Sequence, residues 1–291
     1  MDDYMIRALT KNKQIRALAV RSTNLVDKAQ QLHKTTPVAT AALGRALSAV
    51  AMMMSLEKSG KKIGLRIIGD GPLDRVIAEA NQDGDVRGYV GNPQINLMIN
   101  KKNKLDVKKA VGRGELYVRK MMGLKDPYES KIKLVSGEIG EDLTYYYTQS
   151  EQVPSSVGLG VLVDTDSTVK AAGGFIIQLL PETPDETITQ LEQNLKNIGS
   201  VSRIIEEGNN PEELLDIVLE GFEYDITQVK EVEYKCNCSK EVGLEIVNTL
   251  SGEDIKQSLE EDGYVEITCH YCNSQYRYDE EYLKEHLERE W

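Results

Sequence analysis

All four cysteines of this chain lie in its last 56 residues, where they form two close pairs. One residue separates Cys236 from Cys238, two separate Cys269 from Cys272, and 30 lie between the pairs. A structural zinc ion takes four ligands at about 2.3 Å in a tetrahedron, and paired cysteines are typical of such sites. A CxxC turn supplies two ligands, and residues i and i+2 of an extended segment face the same way and supply two more. The sequence therefore predicts one Zn²⁺ bound by four thiolates.

One histidine and three basic residues accompany the cysteines. His270 lies inside the second pair, but four thiolates complete the coordination, so we interpret it as a bystander. Lys235, Lys240 and Arg277 are expected to balance part of the two negative charges of a four-thiolate zinc site. The segment 231–291 has few large apolar residues. A bound metal would therefore supply much of its folding free energy, on the order of 10 kcal/mol.

The cysteine spacing leaves two interpretations open. The site is either a static zinc ribbon or a redox switch. In the switch, an oxidant attacks the zinc-bound thiolates, two disulfides form and the metal leaves. Cysteines that are close in sequence can join one another readily, which is compatible with the switch, but spacing alone does not decide between the two.

No other group of residues in the sequence indicates catalysis. The three histidines are His33, His270 and His286, and neither a GxSxG elbow nor an HExxH helix occurs. Glu138, Glu141 and Asp142 are expected to be solvated. The glycines at 69–71 and 112–114 lack the phosphate-loop and dinucleotide patterns, so we expect turns there. The sequence predicts a protein that is not an enzyme and binds no nucleotide cofactor.

The first 180 residues predict an α+β domain with a mostly antiparallel sheet, because strands follow strands without a regular intervening helix. Helices are predicted at 23–33 and 37–57, with Thr36 as a cap and Pro37 in the first turn. The run 52–54 of three methionines is interpreted as core packing. Strands are predicted at 63–68, 75–80, 86–90, 114–118, 143–148, 158–163 and 168–180, and another element is expected to begin within 132–136.

After Pro181 the composition becomes acidic and rich in charge. Apolar residues at helical spacing predict three short helices within 183–221, with Thr183, Ser200 and Asn210 as their caps. We expect these helices to bury a modest area and to be less stable locally than the sheet domain.

The net charge of −12 is unevenly distributed. Residues 1–203 carry +5 and residues 204–291 carry −17. An acidic C-terminal third argues against a nucleic-acid partner. The apolar run 38–56 is interrupted by Arg45, so it predicts a buried helix and no membrane partner. The N-terminal residues lack the pattern of a secretory signal, so we expect a cytoplasmic protein, in which cysteines serve metal or redox chemistry.

Several segments together with the cysteines give the chain a family resemblance. The segments are AALGR (41–45), GYVGNP (88–93), GEIGEDLTYY (137–146), SEQVPSS (150–156) and AAGGF (171–175). With Cys236-x-Cys238 and Cys269-x-x-Cys272, they resemble the redox-regulated heat-shock chaperones of 33 kDa. The resemblance extends over most of the chain from Met1 to Trp291, and these two end residues lie outside those that the structure describes.

The resemblance implies a fold and a function. The fold would be an α+β core domain at 1–180, a helical linker at 181–230 and a small zinc-binding redox-switch domain at 231–291. The protein would be an ATP-independent holdase for unfolding proteins under oxidative stress, inactive when reduced and zinc-bound. Oxidation would form the disulfides Cys236–Cys238 and Cys269–Cys272 and release Zn²⁺. The linker would then unfold and help to capture clients, and the active form would be a homodimer.

Two functions of other classes compete with this one. A zinc-ribbon nucleic-acid-binding protein would need a basic patch with exposed aromatic residues, and the C-terminal third has the opposite charge. A thiol oxidoreductase would use Cys269-His270-Tyr271-Cys272, but that motif belongs at a helix start in a βαβ unit.

Overall fold

The computed structural model describes residues 2–57, 61–101, 104–121, 123 and 127–287, and the chain folds as an α+β protein. Contacts divide it into two compact units, Met1–Lys235 and Cys236–Trp291. The first unit contains two sheets and the second a hairpin with three helices. The division predicted at 1–180, 181–230 and 231–291 stays a prediction.

The elements are numbered in chain order. Those of the first unit are β1 (Tyr4–Thr10), β2 (Ile15–Arg21), α1 (Thr23–His33), α2 (Pro37–Leu56), β3 (Lys62–Gly69), β4 (Arg75–Asn81), β5 (Asp85–Val90), α3 (Val107–Val111), β6 (Gly114–Met121), β7 (Tyr128–Lys133), α4 (Gly140–Gln149), β8 (Ser155–Val163), β9 (Val169–Leu179), α5 (Asp185–Asn197), α6 (Val201–Glu206), α7 (Pro211–Val218), β10 (Tyr224–Glu231) and β11 (Glu233–Tyr234). Those of the second are α8 (Lys240–Val247), α9 (Gly252–Asp262), β12 (Tyr264–Thr268), β13 (Gln275–Asp279) and α10 (Glu280–His286).

The first sheet is antiparallel, with strand order β10-β1-β2-β9-β8. Both of its faces are covered, so β9 is buried along nearly its whole length. Strands β1 and β2 were not predicted from the sequence for the same reason. In β2, Ala17, Leu18, Ala19 and Val20 are all fully buried. A strand buried on both faces is apolar throughout and lacks the alternation that would identify it.

Helix α2 lies between the two sheets and packs against strands of both. It is rich in alanine, begins at Pro37 and buries residues all around its circumference. By length and composition it could cross a membrane, but 89% of its most apolar window is buried inside the protein, which is typical of a core helix. Met52, Met53 and Met54 are buried, so their interpretation as core residues is confirmed.

The second sheet has the order β11-β5-β4-β3-β6-β7, and all its pairs are antiparallel except β11 with β5. Its inner face buries alternate residues such as Ile63, Leu65 and Ile67 against the core, while Arg66 on the other face is exposed. This alternation allowed β3, β4 and β5 to be predicted from the sequence.

Two predictions after this sheet are wrong. The strand predicted at 143–148 is helix α4, because Leu143, Tyr146 and Tyr147 have helical spacing and are all buried. Asp142, expected to be solvated, is fully buried and accepts hydrogen bonds from the N–H groups of Val135, Ser136 and Ile139 at 2.8–2.9 Å. It therefore fixes the turn that starts the helix.

From the sequence, another element of unspecified type is expected to begin within 132–136. The observed strand, β7, spans Tyr128–Lys133 and ends near that position. The glycine-rich turns were predicted correctly. A Cβ on Gly69 or Gly71 would overlap the backbone of Val111 or Ala110, so these glycines permit close packing of two loops.

Helices α5, α6 and α7 cover the second face of the first sheet. Their apolar residues form a separate core with strand residues such as Ile6, Ala17 and Phe175. The three predicted helices are confirmed, but only Asn210 caps as predicted, by accepting from Glu213 N–H. The expectation of a modest packing area holds for α5, which buries only Leu191. Helix α7 buries four residues.

The predicted caps of the other helices are wrong. Thr36 and Thr183 donate instead to backbone carbonyls, including those of Pro93 and Gln14, and Ser200 makes no cap. After α7 the chain forms β10, which the sequence did not predict and which pairs with β1.

A buried carboxyl lies where β1 begins. Asp3 is 6% exposed, and its Oδ2 accepts from Leu25 N–H in the first turn of α1 at 2.7 Å. Its Oδ1 has no hydrogen-bond partner among the described residues. Burial raises the pKa of Asp3 to about 6, although the Leu25 N–H and the charge of Arg21 oppose the rise.

The Asp3→Asn variant should therefore be more stable than the parent at pH 7.5. Since the folded-state pKa lies above the unfolded value, the stability that protonated Asp3 contributes is present below about pH 4 and is lost as the pH rises through about 6. Asn retains an oxygen for the Leu25 N–H and carries no charge. We expect a gain of about 2 kcal/mol in the free energy of unfolding at pH 7.5, shrinking towards pH 5.

Urea unfolding at pH 5, 6 and 7.5, followed by circular dichroism, measures this difference. The control is Asp2→Asn, which changes an exposed neighbouring carboxyl. A difference between parent and Asp3→Asn that does not change with pH would contradict the assignment.

Candidate metal centre

Two short segments of the second unit carry the four cysteines. Cys236 and Cys238 lie in an extended stretch before α8, and Cys269 and Cys272 lie in the turn between β12 and β13. In that turn Cys269 O accepts from the N–H groups of Cys272 and Asn273, and Cys269 N–H donates to Ser274 O. The hairpin thus holds its two cysteines in a tight loop that faces the first pair.

The four sulfur atoms converge. All of them lie within 4.8 Å of one another, all are free thiols, and all four residues are half-buried. Sγ of Cys236 is 3.7 Å from Sγ of Cys269, and Sγ of Cys238 is 3.2 Å from Sγ of Cys272. A tetrahedron with metal–sulfur bonds of about 2.3 Å has sulfur–sulfur edges of about 3.8 Å. The arrangement can hold a metal ion with only small movements of the side chains.

The Cys236–Cys269 and Cys238–Cys272 contacts each join one segment to the other. They do not follow the pairing Cys236–Cys238 and Cys269–Cys272, which stays a prediction. His270 is not part of the metal-capable group that the described residues form, and that group consists of the four cysteines alone.

The four thiols differ in pKa because their surroundings differ. Burial raises the pKa of Cys236, Cys238 and Cys269. Burial acts in the same direction on Cys272, but hydrogen bonds from the hydroxyl and N–H of Ser274 prevail and lower its pKa to about 7. Cys272 is therefore the thiol that ionises most readily, and the thiolate is the form that binds metal and reacts with oxidants.

A tyrosine supports the first pair. The Tyr276 hydroxyl lies 3.2 Å from Sγ of Cys238, where it can donate to the thiolate, and this contact raises the pKa of Tyr276 to about 12. Hydrogen bonds from such neighbours orient metal ligands and tune their charge. The sequence analysis did not identify Ser274 or Tyr276. Their position opposite or beside a cysteine in the β12–β13 hairpin was the only available signal.

The three bases predicted to balance the site have other partners. Lys235 pairs with Asp85 and Glu233. Lys240 Nζ lies 3.8 Å from the centre of the Tyr282 ring, and Arg277 Nε is 2.7 Å from Glu266. The hydroxyl groups of Tyr276 and Ser274 contact the sulfurs directly. Charge balance by the three cations stays a prediction.

The second unit has a small core. Among the described residues, its buried apolar side chains are those of Val247, Ile255, Val265, Tyr278, Leu283 and Leu287. The Tyr278 hydroxyl donates to Lys240 O at 2.6 Å, which joins α8 to the hairpin. Because so few side chains hold this unit together, a metal joining residues 236–238 to the hairpin would contribute much of its stability.

Comparison with known proteins gives a consistent result. The family model described as Hsp33 protein matches residues 3–279. The 33 kDa chaperonin of Bacillus subtilis (strain 168) is 45% identical over 283 residues, which cover 97% of each chain. That of Geobacillus sp. (strain WCH70) is 44% identical over 286 residues, covering 98% of this chain and 97% of the relative.

A solved structure agrees along almost the whole chain. The crystal structure of the 33 kDa chaperonin from Thermotoga maritima superposes with a TM-score of 0.92 at 36% identity, and the match covers 98% of this chain and 97% of that one. The resemblance inferred from the segments and the cysteines is thereby confirmed, as is the α+β fold with its antiparallel sheets and its C-terminal cysteine cluster. The chain belongs to the Hsp33 family of chaperones.

Proposed function

We propose that this chaperone is a redox-regulated, ATP-independent holdase and not an enzyme. The observation that carries the proposal is the convergence of four free thiols in a small unit of a chaperone chain. It binds unfolding proteins during oxidative stress in the cytoplasm. Reduced and metal-bound it is inactive, and oxidation converts it to the active form, which is a homodimer.

The proposed metal is one Zn²⁺ per chain, bound by Cys236, Cys238, Cys269 and Cys272. Four thiolates match the preference of structural zinc sites, and the sulfur separations suit a tetrahedron. Zinc cannot itself be oxidised, so the redox chemistry belongs to the sulfurs.

Oxidation would pair Cys236 with Cys238 and Cys269 with Cys272. Formation of each disulfide would transfer two electrons and two protons from a pair of thiols to one hydrogen peroxide, whose O–O bond breaks to give two molecules of water. Disulfide sulfurs bind zinc poorly, so the metal leaves. The second unit then depends on its small apolar core alone, and we expect it to unfold.

The proposed linker, 181–230, would respond next because its last strand leads directly into the cysteines. Strand β10 ends at Glu231, five residues before Cys236. The linker helices bury an apolar face of the first sheet, and Leu191 is the one buried residue of α5. Release of α5 to α7 would expose apolar residues on both surfaces, which is the property a holdase needs.

The switch is tested by following zinc release and client protection in one sample. The reduced protein is treated with peroxide at raised temperature, and light scattering from a thermally unfolding enzyme is recorded without ATP. We expect zinc release to precede suppression of aggregation, and thiol reduction to reverse it. Zinc that stays bound during full protection, or that leaves without any protection, would contradict the proposal.

Replacing one ligand should abolish metal binding. Cys272→Ser removes the most acidic thiol, and we expect zinc affinity to fall at least 100-fold and the α8–α10 unit to unfold. The matched control is Ser274→Ala, in the same turn, which retains four thiols. Zinc content after gel filtration and the dispersion of amide NMR signals measure both effects. Stoichiometric zinc in Cys272→Ser would show that Cys272 is not a ligand.

Release of the linker can be tested without changing a cysteine, by substituting a glycine on which the linker helices pack. A Cβ on Gly160 in β8 would overlap the backbone N of Ser202 in α6. We therefore expect Gly160→Ala to weaken linker packing by about 1–3 kcal/mol. Limited proteolysis should cut within 181–221 at least fivefold faster, and client protection should appear without oxidation while zinc stays bound.

The control for this variant is Gly64→Ala in β3. There the nearest atom to an added Cβ is 3.9 Å away. If Gly160→Ala is cleaved at the rate of the control and stays inactive, release of α6 is not the step that activates the chaperone.

A further inference from the structure

The outer face of the second sheet carries aligned cationic and aromatic side chains. In the register of β3, β6 and β7, Arg66 lies opposite Tyr117, and Tyr117 lies opposite Lys131. Lys133 lies two residues beyond Lys131 on β7, and Arg119 lies two residues beyond Tyr117 on β6, so both are on the same face. Directly opposite residues share one face of a sheet, so these five side chains form one surface.

This face is open to solvent. The inner residues of the same strands pack against the core, whereas Arg66, Arg119, Lys131 and Lys133 are exposed. Glu129 lies 3.8 Å from Arg66, and Glu115 lies 3.2 Å from Lys131. Glu115 also accepts a hydrogen bond from the Tyr117 hydroxyl. Exposed ion pairs of this kind contribute little free energy, so the cations remain available to a phosphate group. Among the described residues, Arg119 and Lys133 form no ion pair.

The surrounding sequence is strongly basic. Residues 101–133 contain eleven lysines and arginines and four acidic residues, a net charge of +7. The exposed cations among the described part of this segment are Lys101, Lys104, Lys108, Lys109, Arg113, Arg119, Lys131 and Lys133. The total charge of −12 hides this region, because residues 204–291 carry −17.

The central row has the geometry of a stacking platform. The guanidinium carbon of Arg66 lies 4.3 Å from the centre of the Tyr117 ring, and Lys131 Nζ lies 5.8 Å from it. A planar guanidinium held against a ring presents its outer surface for a further flat group. Nucleic-acid bases stack on both aromatic side chains and arginine planes, and cations beside the stack attract the phosphates.

We propose that this face, formed by the outer side chains of β3, β6 and β7, binds single-stranded nucleic acid. Its charge complements phosphates, and the Arg66–Tyr117 stack accommodates an unpaired base of any identity. An acidic protein segment would bind the cations but has no base to stack on Arg66 and Tyr117. The expectation that the protein has no nucleic-acid partner was drawn from the acidic C-terminal third, and this surface lies in the other unit.

Binding is measured by fluorescence anisotropy with a labelled oligouridine of about 12 nucleotides and the full-length, reduced, zinc-loaded protein. We expect a micromolar Kd at low salt that weakens steeply as salt is raised. Lys131→Glu combined with Lys133→Glu should raise the Kd at least tenfold and flatten its salt dependence. The control, Lys11→Glu with Lys196→Glu, makes the same charge change at exposed lysines of the β1–β2 turn and α5.

Arg66→Lys separates stacking from charge, because it keeps the charge and removes the planar group. We expect it to weaken oligouridine binding at least threefold. Poly-glutamate at equal charge concentration should compete poorly with the RNA. The substituted residues are exposed, so the variants should melt within a few degrees of the parent, which circular dichroism verifies.

Three results would overturn the proposal. The first is no binding at low salt. The second is equal loss in the charge control and in the Lys131/Lys133 variant. The third is parental binding by Arg66→Lys with full displacement by poly-glutamate, which would identify a surface for acidic peptides.

Discussion

The first sheet is buried on both faces, and the organisation of the first unit depends on this constraint. One face packs against α2 within the main core, and the other packs against α5 to α7. An apolar sheet face cannot be left in water without a large cost in free energy. The segment that covers the second face is also the segment that leads into the cysteines, so the covering of the sheet and the state of the thiols are connected along the chain.

The helices on the two faces of that sheet differ in how much they bury. Helix α2 is continuous and buries sixteen residues, whereas the other cover consists of three short helices joined by breaks, with one buried residue in α5. Gly160 and Gly173 let α6 approach the strands closely, so its position depends on small residues in the sheet. A cover of this kind is suited to local release without unfolding of the core.

The thiols and the exposed cations lie in different parts of the chain, the thiols in the second unit and the cations on the outer face of the second sheet. The thiols gather where the apolar core is smallest, so under the proposed function metal and disulfide chemistry would control whether that unit is folded. The cations gather on the exposed face of the second sheet, so they can meet a ligand without any rearrangement. The positive charge of residues 101–133 and the negative charge of residues 204–291 partly offset each other in the net charge of the chain. They become apparent only when charge is counted region by region.

The sequence by itself determined the features that depend on residue type and local spacing. Four cysteines in two pairs indicated a metal site, the capping box at Asn210 and Glu213 marked α7, and alternation revealed β3 to β5. Tertiary structure decided what depends on distant partners. Burial on both faces removed the alternation of β1 and β2. Hydrogen bonds from backbone N–H groups within residues 135–139 hold the Asp142 carboxylate in a buried position. The hydroxyl of Thr36, expected to cap α2, donates to the carbonyl of Pro93. At the candidate site, the ligand set followed from spacing, whereas Ser274 and Tyr276 were identified only once the hairpin had placed them beside the sulfurs. Local signals are set within a few residues of the chain, but burial and hydrogen-bond partners come from segments that only folding brings together.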